Sequence, residues 1–487
     1  MGRNLSGIRA VRERGRFVKE GLRGGGIALA LVLAAGCGFG NNGAARRPNV
    51  LLLSVDSLRA DHADGMGGTR ATGPTLRTLA RTGTVFTQAT TAAPWTTPSM
   101  ASVLTGLTPW AHHVRRDDRT LSGQVPTLAE RLRQAGYATA AVVPSATLSE
   151  EYGFARGFDF FSNGRYDHNT VTSPAMAGTA LNWLEHRPAG RPFFLWVHFW
   201  DPHFNYLPPA PYDAAVAPAW KPVPGTVYDL AALKNAHAPL AARELEWLRS
   251  QYDGELLHTD RYLGEILEMV DRTTDGTGTL VIVLGDHGEA FQEHGWLTHT
   301  VRVDEEMVHV PLAFRWTGHL PAGKTIDAPV SLADVAPTVL DMLELEVPSG
   351  TMEGGSLKPL IEGAGPAPMG PIVTETVRQA AFAALREGRM KYIIDFDSCA
   401  GQMFDLADDP GETRDLSPTR PTEAAAMRER LLRFYRENRA ARRIPEEPLP
   451  DPSEANRQLL RSLGYLATDR LGDLLAPPHR LDPLQCR

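Results

Sequence analysis

Four runs of almost unbroken apolar residues stand out along the chain, at 50–55, 138–143, 192–200 and 279–284. A strand with one wet face alternates apolar and polar positions, and these runs do not. They describe strands covered on both faces, as in a parallel sheet. Between them apolar positions recur every three or four residues, over 125–135, 175–186 and 244–270, which predicts amphipathic helices. This alternation predicts an α/β fold, a doubly wound sheet with helices on both faces. A helix over 334–345 follows, and the Pro/Ala-rich stretch 207–239 reads as a surface excursion. Near Pro348 the texture turns to Gly/Pro-rich loop. Strand-like segments at 371–374, 380–386 and 390–395 and a charged helix over 422–439 then predict a smaller C-terminal α+β subdomain.

The residues that end the apolar runs carry the chemistry. Asp56, the pair Asp201 and His203, and the pair Asp286 and His287 each stand just past a run. Open α/β sheets bind their ligands at the carboxyl ends of strands, so these groups point to one shared site. The stretch 92–106 reads as a loop entering a helix, with Thr97 as cap, Pro98 in the first turn and Gly106 as stop. Thr96 would then sit where helix N–H groups favour an anion. Asp56, Asp286, His287 and the Thr96 hydroxyl make a site for one divalent ion. The imidazole favours Mn²⁺ or Zn²⁺, with Ca²⁺ compatible. His203 and His299 are the candidates to bind the anion or protonate a leaving group. His294 and His309 are assigned structural or peripheral places, and Trp95, Trp200 and Phe204 either line the pocket or pack the core.

The 487 residues carry a formal charge of -7, which gives no nucleic-acid-binding surface. Three cysteines, Cys37, Cys399 and Cys486, are too few and too scattered for a thiolate metal site or a disulfide framework. Arginines in the first 26 residues, the apolar run 27–35 and Gly36-Cys37 describe an export signal. The end of that signal resembles a bacterial lipobox, which would lipidate Cys37 and anchor the protein to a membrane on the periplasmic or extracytoplasmic side of the cell envelope. The expected organisation is a signal peptide at 1–36, a tether at 37–47, a catalytic domain at 48–347, a subdomain at 348–440 and a Pro-rich tail at 441–487 with a short helix.

The chain resembles the sulfatase-type members of the alkaline phosphatase superfamily over roughly 48–416. The likeness rests on Asn49-Val50-Leu51-Leu52-Leu53-Ser54-Val55-Asp56, on Thr96 to Gly106, on Pro202-His203, on Gly285-Asp286-His287-Gly288 and on Phe404 to Glu412. The resemblance implies a metal-dependent hydrolase of sulfate or phosphate esters. Thr96 stands where the family carries the Cys or Ser that becomes formylglycine, so no formylglycine is expected. Met100 replaces the family's arginine, Ser57 its second aspartate, and His299 a frequent lysine. The remaining set is similar to Thr-nucleophile phosphoglycerol and phosphoethanolamine transferases and to phosphonate monoester hydrolases. It implies Thr96 as metal-activated nucleophile and favours phosphodiester or phosphonate chemistry. The alternatives are a transferase of that type, or a catalytically silent lipoprotein that holds an anion or glycan. The expected partner is a sulfated or phosphorylated small molecule, glycan or lipid head group.

Overall fold

The computed structural model describes residues 47–167, 169–223, 228–236, 239–274, 278–347, 349–368, 370–441, 444–450, 454–462 and 483–486. The export signal and the lipobox with Cys37 lie outside the described residues. No helix among the described residues is long and apolar enough to cross a membrane.

The axis of the larger sheet is β1 (Asn49–Val55). Val50 and Leu52 join the core on one face, while Leu51, Leu53 and Val55 join the core on the other. This double burial is why the run lacks polar alternation. The sheet continues with β2 (Thr84–Thr90), β3 (Ala138–Val143), β4 (Phe160–Asn163), β5 (Phe193–Phe199), β6 (Thr279–Gly285), β7 (His309–Arg315) and β8 (Lys324–Ile326). Among the described residues their order is β8-β2-β7-β6-β1-β5-β3-β4, with Val330–Ser331 also paired to β2. The strands β6, β1, β5, β3 and β4 run parallel, and β7 enters antiparallel between β6 and β2.

Helices cover both faces. One carries α2 (Thr96–Thr105), α3 (Leu128–Gln134) and α7 (Val335–Met342), through Leu104, Leu132 and Val339. The other carries α1 (Pro74–Thr82), α4 (Ser173–His186) and α6 (Ala242–Thr273), through Leu79, Ala180 and Leu263. The excursion at 207–239 is more than surface loop: it holds the short helix α5 (Leu230–Ala236), which buries Lys234.

Two helix starts differ from the pattern. α3 begins at Leu128, because Thr127 and Glu130 form a reciprocal capping box that fixes the first turn there. α2 begins at Thr96, not after Thr97. Trp95 takes the extended cap position, no side chain caps the helix, and the Thr97 hydroxyl is buried without a hydrogen-bond partner. Gly106 ends α2 as expected, at φ 70°, where a side chain would be strained and would crowd Met352.

The smaller sheet is antiparallel, β9 (Ile372–Thr376), β10 (Phe382–Glu387), β11 (Met390–Asp395) and β12 (Gly401–Asp405), in that order. The long helix α8 (Pro421–Ala441) covers it through Met427, Leu431 and Tyr435. Cys399 and Cys486 form a disulfide across 87 positions of sequence, which corrects the expectation of no disulfide framework. Distance along the chain was a poor guide, because the end of the chain returns to this sheet, with Leu484 and Cys486 packed in the same core as Phe396.

Candidate active site

Register builds the site. β1 and β6 are parallel neighbours with Val55 opposite Gly285, so the next residue of each, Asp56 and Asp286, emerges at the same edge. Ser57, at φ 57°, turns back between them: its N–H donates to Asp286 Oδ1 at 3.1 Å and its hydroxyl to Asp56 Oδ1 at 2.8 Å. A left-handed conformation at a non-glycine residue costs energy and persists where such contacts hold it. Thus Ser57, in place of a second family carboxylate, tethers the two that remain.

His287 follows on the same turn. Its Nδ1–H donates to the Gly288 carbonyl at 2.9 Å, which leaves the Nε2 lone pair facing the carboxylates. That nitrogen lies 3.3 Å from Asp56 Oδ1 and 3.6 Å from Asp286 Oδ2. Gly288 is required by the close passage of residue 306, whose carbonyl oxygen would lie 2.1 Å from an added Cβ. Thr96, on the first turn of α2, places Oγ1 3.3 Å from Asp56 Oδ2 and 3.3 Å from His287 Nε2. Ser99 fixes the helix in place by donating to the Asp286 backbone carbonyl at 2.6 Å. The four residues called from sequence as metal ligands therefore meet at one point.

The electrostatics of the pair are lopsided. Burial alone would raise the Asp56 carboxyl, but the His203 charge, the His198 hydrogen bond and the His287 charge hold it far below the ordinary range. Asp286 is pushed well up, by burial first and then by the negative charge of Asp56. Burial and mutual repulsion thus oppose a second negative charge beside Asp56, and Asp286 Oδ2 has no hydrogen-bond partner. Two carboxylate oxygens, an imidazole lone pair and a hydroxyl around an unsatisfied buried oxygen fit a divalent cation.

His299 and His203 lie on one side of this group. The His299 ring is 4.4 Å from His287 and 5.1 Å from His203, centroid to centroid, and Phe204 stacks on His203 at 4.4 Å. Burial, with His287 and His203 nearby, pushes the His299 imidazole well down. Asp201 does not join the site. Its carboxylate accepts from the backbone N–H groups of Thr172 and Ser173 and anchors the start of α4. His294 pairs with Glu306 and His309 with the Thr87 carbonyl, in keeping with structural places. Met100 is wholly buried in the core, so the family's arginine position carries no charge into the site.

Three contributors were not found from sequence. His198 sits inside β5, and His198, Asp56 and Asp286 offer donor atoms within 4.8 Å of one another. The signal was a lone imidazole in an apolar run, opposite Ser54 in register. Lys234 reaches in from α5 and donates to the His299 carbonyl at 2.7 Å and to Thr300 Oγ1 at 2.8 Å. Arg378, just past β9, lies over Trp95 at 4.9 Å and pairs with Asp117 at 2.7 Å.

The smaller sheet also braces the loop that enters α2. Glu375 N–H donates to Ala92 O at 3.0 Å, Thr374 to Thr91 O at 2.5 Å and Thr376 to Thr300 O at 2.6 Å. Below this joint the buried Arg115 forms a fork on Glu375, whose carboxylate also accepts from Tyr435.

A parallel-sheet edge carrying this carboxylate pair, imidazole and helix-start hydroxyl is that of an ester hydrolase of the alkaline phosphatase superfamily. The chain belongs to the sulfatase family: the Sulfatase model matches residues 48–345, and the model for the N-sulphoglucosamine sulphohydrolase C-terminal region matches 292–437. It is 24% identical over 426 residues to the N-acetylglucosamine-6-O-sulfatase of Bacteroides thetaiotaomicron, covering 70% of this chain and 76% of that one. To the choline-sulfatase of Rhizobium meliloti it is 25% identical over 457 residues, covering 81% and 86%. Its fold is shared with the phosphonate monoester hydrolase of Agrobacterium radiobacter, at a TM-score of 0.67 and 24% identity, over 80% of this chain and 96% of that one.

Proposed function

We propose that this chain is a metal-dependent hydrolase of phosphate or sulfate esters with Thr96 as nucleophile, favouring phosphodiesters and phosphonate monoesters. The observation that carries it is Thr96 Oγ1, 3.3 Å from both Asp56 and His287. Asp56, Asp286, His287 and Thr96 would hold one divalent ion, Mn²⁺ or Zn²⁺ before Ca²⁺. When bound, the ion supplies Lewis acidity that favours the threonine alkoxide. Thr96 Oγ, its proton released to solvent, forms a bond to phosphorus as the bond to the leaving alcohol breaks. His203 gives that alcohol its proton, while His299, whose imidazole is pushed well down, is left to hydrogen-bond the ester anion. Water then displaces Thr96, which takes back a proton. A sulfo-threonine has no aldehyde-hydrate route for its own breakdown, which is why phosphorus is favoured here.

The relatives' names support a sulfated small molecule or glycan as substrate class, and the reading extends this to phosphorylated molecules and lipid head groups. A panel of chromogenic phosphodiester, phosphonate, phosphate monoester and sulfate monoester substrates, with each ion added in turn, tests the reading. Phosphodiester or phosphonate turnover that a chelator abolishes is expected. Turnover of sulfate monoesters alone would overturn the preference, transfer to added glycerol would make the protein a transferase, and no turnover with a bound anion would make it a binding protein.

Lys234 supplies a cation beside His299, its ammonium pushed down to about 7 by burial, with Arg378 adding to the effect. An anion bound there is held best while Lys234 keeps its proton. The ratio kcat/KM is expected to fall as pH rises through about 7, a limb that Lys234→Arg moves to higher pH. An unshifted limb would remove Lys234 from substrate binding.

The Cys399–Cys486 disulfide supports an oxidising compartment, hence export, with lipidated Cys37 as the anchor. Cys37→Ala is expected to release the protein from membranes in a fractionation assay; unchanged partitioning would count against the anchor.

A further inference from the structure

The carboxylate of Asp56 is reached from behind by a short file of buried polar groups. Trp196 Nε1 lies 2.9 Å from Ser54 Oγ, Ser54 Oγ lies 2.8 Å from His198 Nδ1, and His198 Nε2 lies 3.6 Å from Asp56 Oδ2. Ser54, Trp196 and His198 are wholly buried, and the His198 Nε2 makes no hydrogen bond of ordinary length, with the Asp56 carboxylate as the acceptor it faces at 3.6 Å.

The chemistry of the donors fixes a direction along this file. An indole N–H only donates, so Ser54 Oγ accepts from Trp196. The Ser54 hydroxyl then has His198 Nδ1 as the acceptor for its own proton. If Nδ1 carried the proton instead, Ser54 would receive two N–H groups and leave its hydroxyl hydrogen buried without an acceptor, and the Nε2 lone pair would face a carboxylate oxygen. Both features are unfavourable in a dry interior.

We infer that Trp196, Ser54 and His198 form a one-way hydrogen-bond relay that presents the His198 Nε2–H to Asp56, making His198 a positioning residue for that carboxylate and not a metal ligand. The sequence places the three for this purpose: Trp196 and His198 alternate onto β5, and Ser54 lies opposite His198 on β1. The relay rests on the proposed function only in its consequence, the affinity for the ion. A donor aimed at one oxygen of Asp56 orients the carboxylate and leaves its other lone pairs for a cation.

Two measurements test it. In ion-free wild-type protein, ¹⁵N NMR of the histidine side chains should show His198 protonated at Nε2 and unprotonated at Nδ1. The same pattern should persist when Zn²⁺ is added. An Nδ1-protonated ring, or an Nε2 signal that moves into the metal-bound range with Zn²⁺, would overturn the relay. By calorimetric titration, Ser54→Ala is expected to weaken Zn²⁺ binding about 10- to 100-fold, with Ser54→Thr restoring it. Unchanged affinity in Ser54→Ala would also overturn it. If wild-type protein takes up no divalent ion, the metal-dependent reading fails, while the ion-free NMR experiment still decides the relay.

Discussion

Thr96→Ala should lower turnover of the best phosphodiester or phosphonate substrate at least about 10³-fold, a loss of roughly 4 kcal/mol of transition-state stabilisation. The effect should fall on kcat, because the hydroxyl contributes a bond made only during reaction. The protein should remain folded: Thr96 is one residue of a helix anchored by Ser99 to the Asp286 carbonyl and stopped by Gly106. It should also keep a divalent ion, more weakly, since Asp56, Asp286 and His287 remain. Thr96→Ser should recover part of the rate. Turnover within tenfold of wild type in a folded, metal-loaded Thr96→Ala protein would remove Thr96 as the nucleophile.

The second large effect is on stability. Lys391, in β11, is buried between Glu305 at 2.8 Å and Glu412 at 2.9 Å, and so joins the smaller sheet to the helical turn Glu305–Val308. Burial opposes its charge, but the two carboxylates raise it well above the usual lysine range. Glu305 is held down at about 2, chiefly by Lys391 against the effect of burial. Glu412 is pushed up to about 8 by burial, with Lys391 opposing and Glu305 assisting. One ammonium therefore faces two carboxyls whose hold on a proton is shifted in opposite directions. Lys391→Met leaves the Glu305 charge with only the longer pair to Arg386, at 3.7 Å, and is expected to cost about 3–5 kcal/mol in urea unfolding. Glu412→Gln keeps a neutral partner of the same shape and should cost far less. A loss below about 1 kcal/mol in Lys391→Met would mean that water reaches the cluster. The pH dependence follows the signs. The Glu305 contribution is present above its unfolded value near 4.5 and disappears as pH falls towards 2. Glu412, raised in the folded state, makes stability fall as pH rises from about 4.5 to about 8.

Much of this was readable in the sequence, for definite reasons. β1 and β6 were legible because strands buried on both faces leave no polar alternation, and Asp56 and Asp286 because each ends such a run. Thr96 was found, yet the start of α2 was misplaced, since Thr97 is a good cap residue that the structure does not use as one. His198 was hidden by the same apolar run that revealed β5. Lys234 and Arg378 were hidden because nothing local connects a Pro/Ala-rich excursion, or a turn after β9, to a site built elsewhere. The Cys399–Cys486 pairing likewise depends on a chain return that no spacing rule encodes.

The bracing of residues 91, 92 and 300 by β9 bears on how such enzymes diversify. Arg378 travels with the same segment as Glu375 and Thr376, and it rests on the indole of Trp95, next to Thr96. A chimera that exchanged everything after residue 371 between homologues would thus swap a wall of the substrate cleft along with its buttress. Substrate preference and fold integrity would be inherited together, and a junction cut anywhere between Thr374 and Arg378 would separate the two.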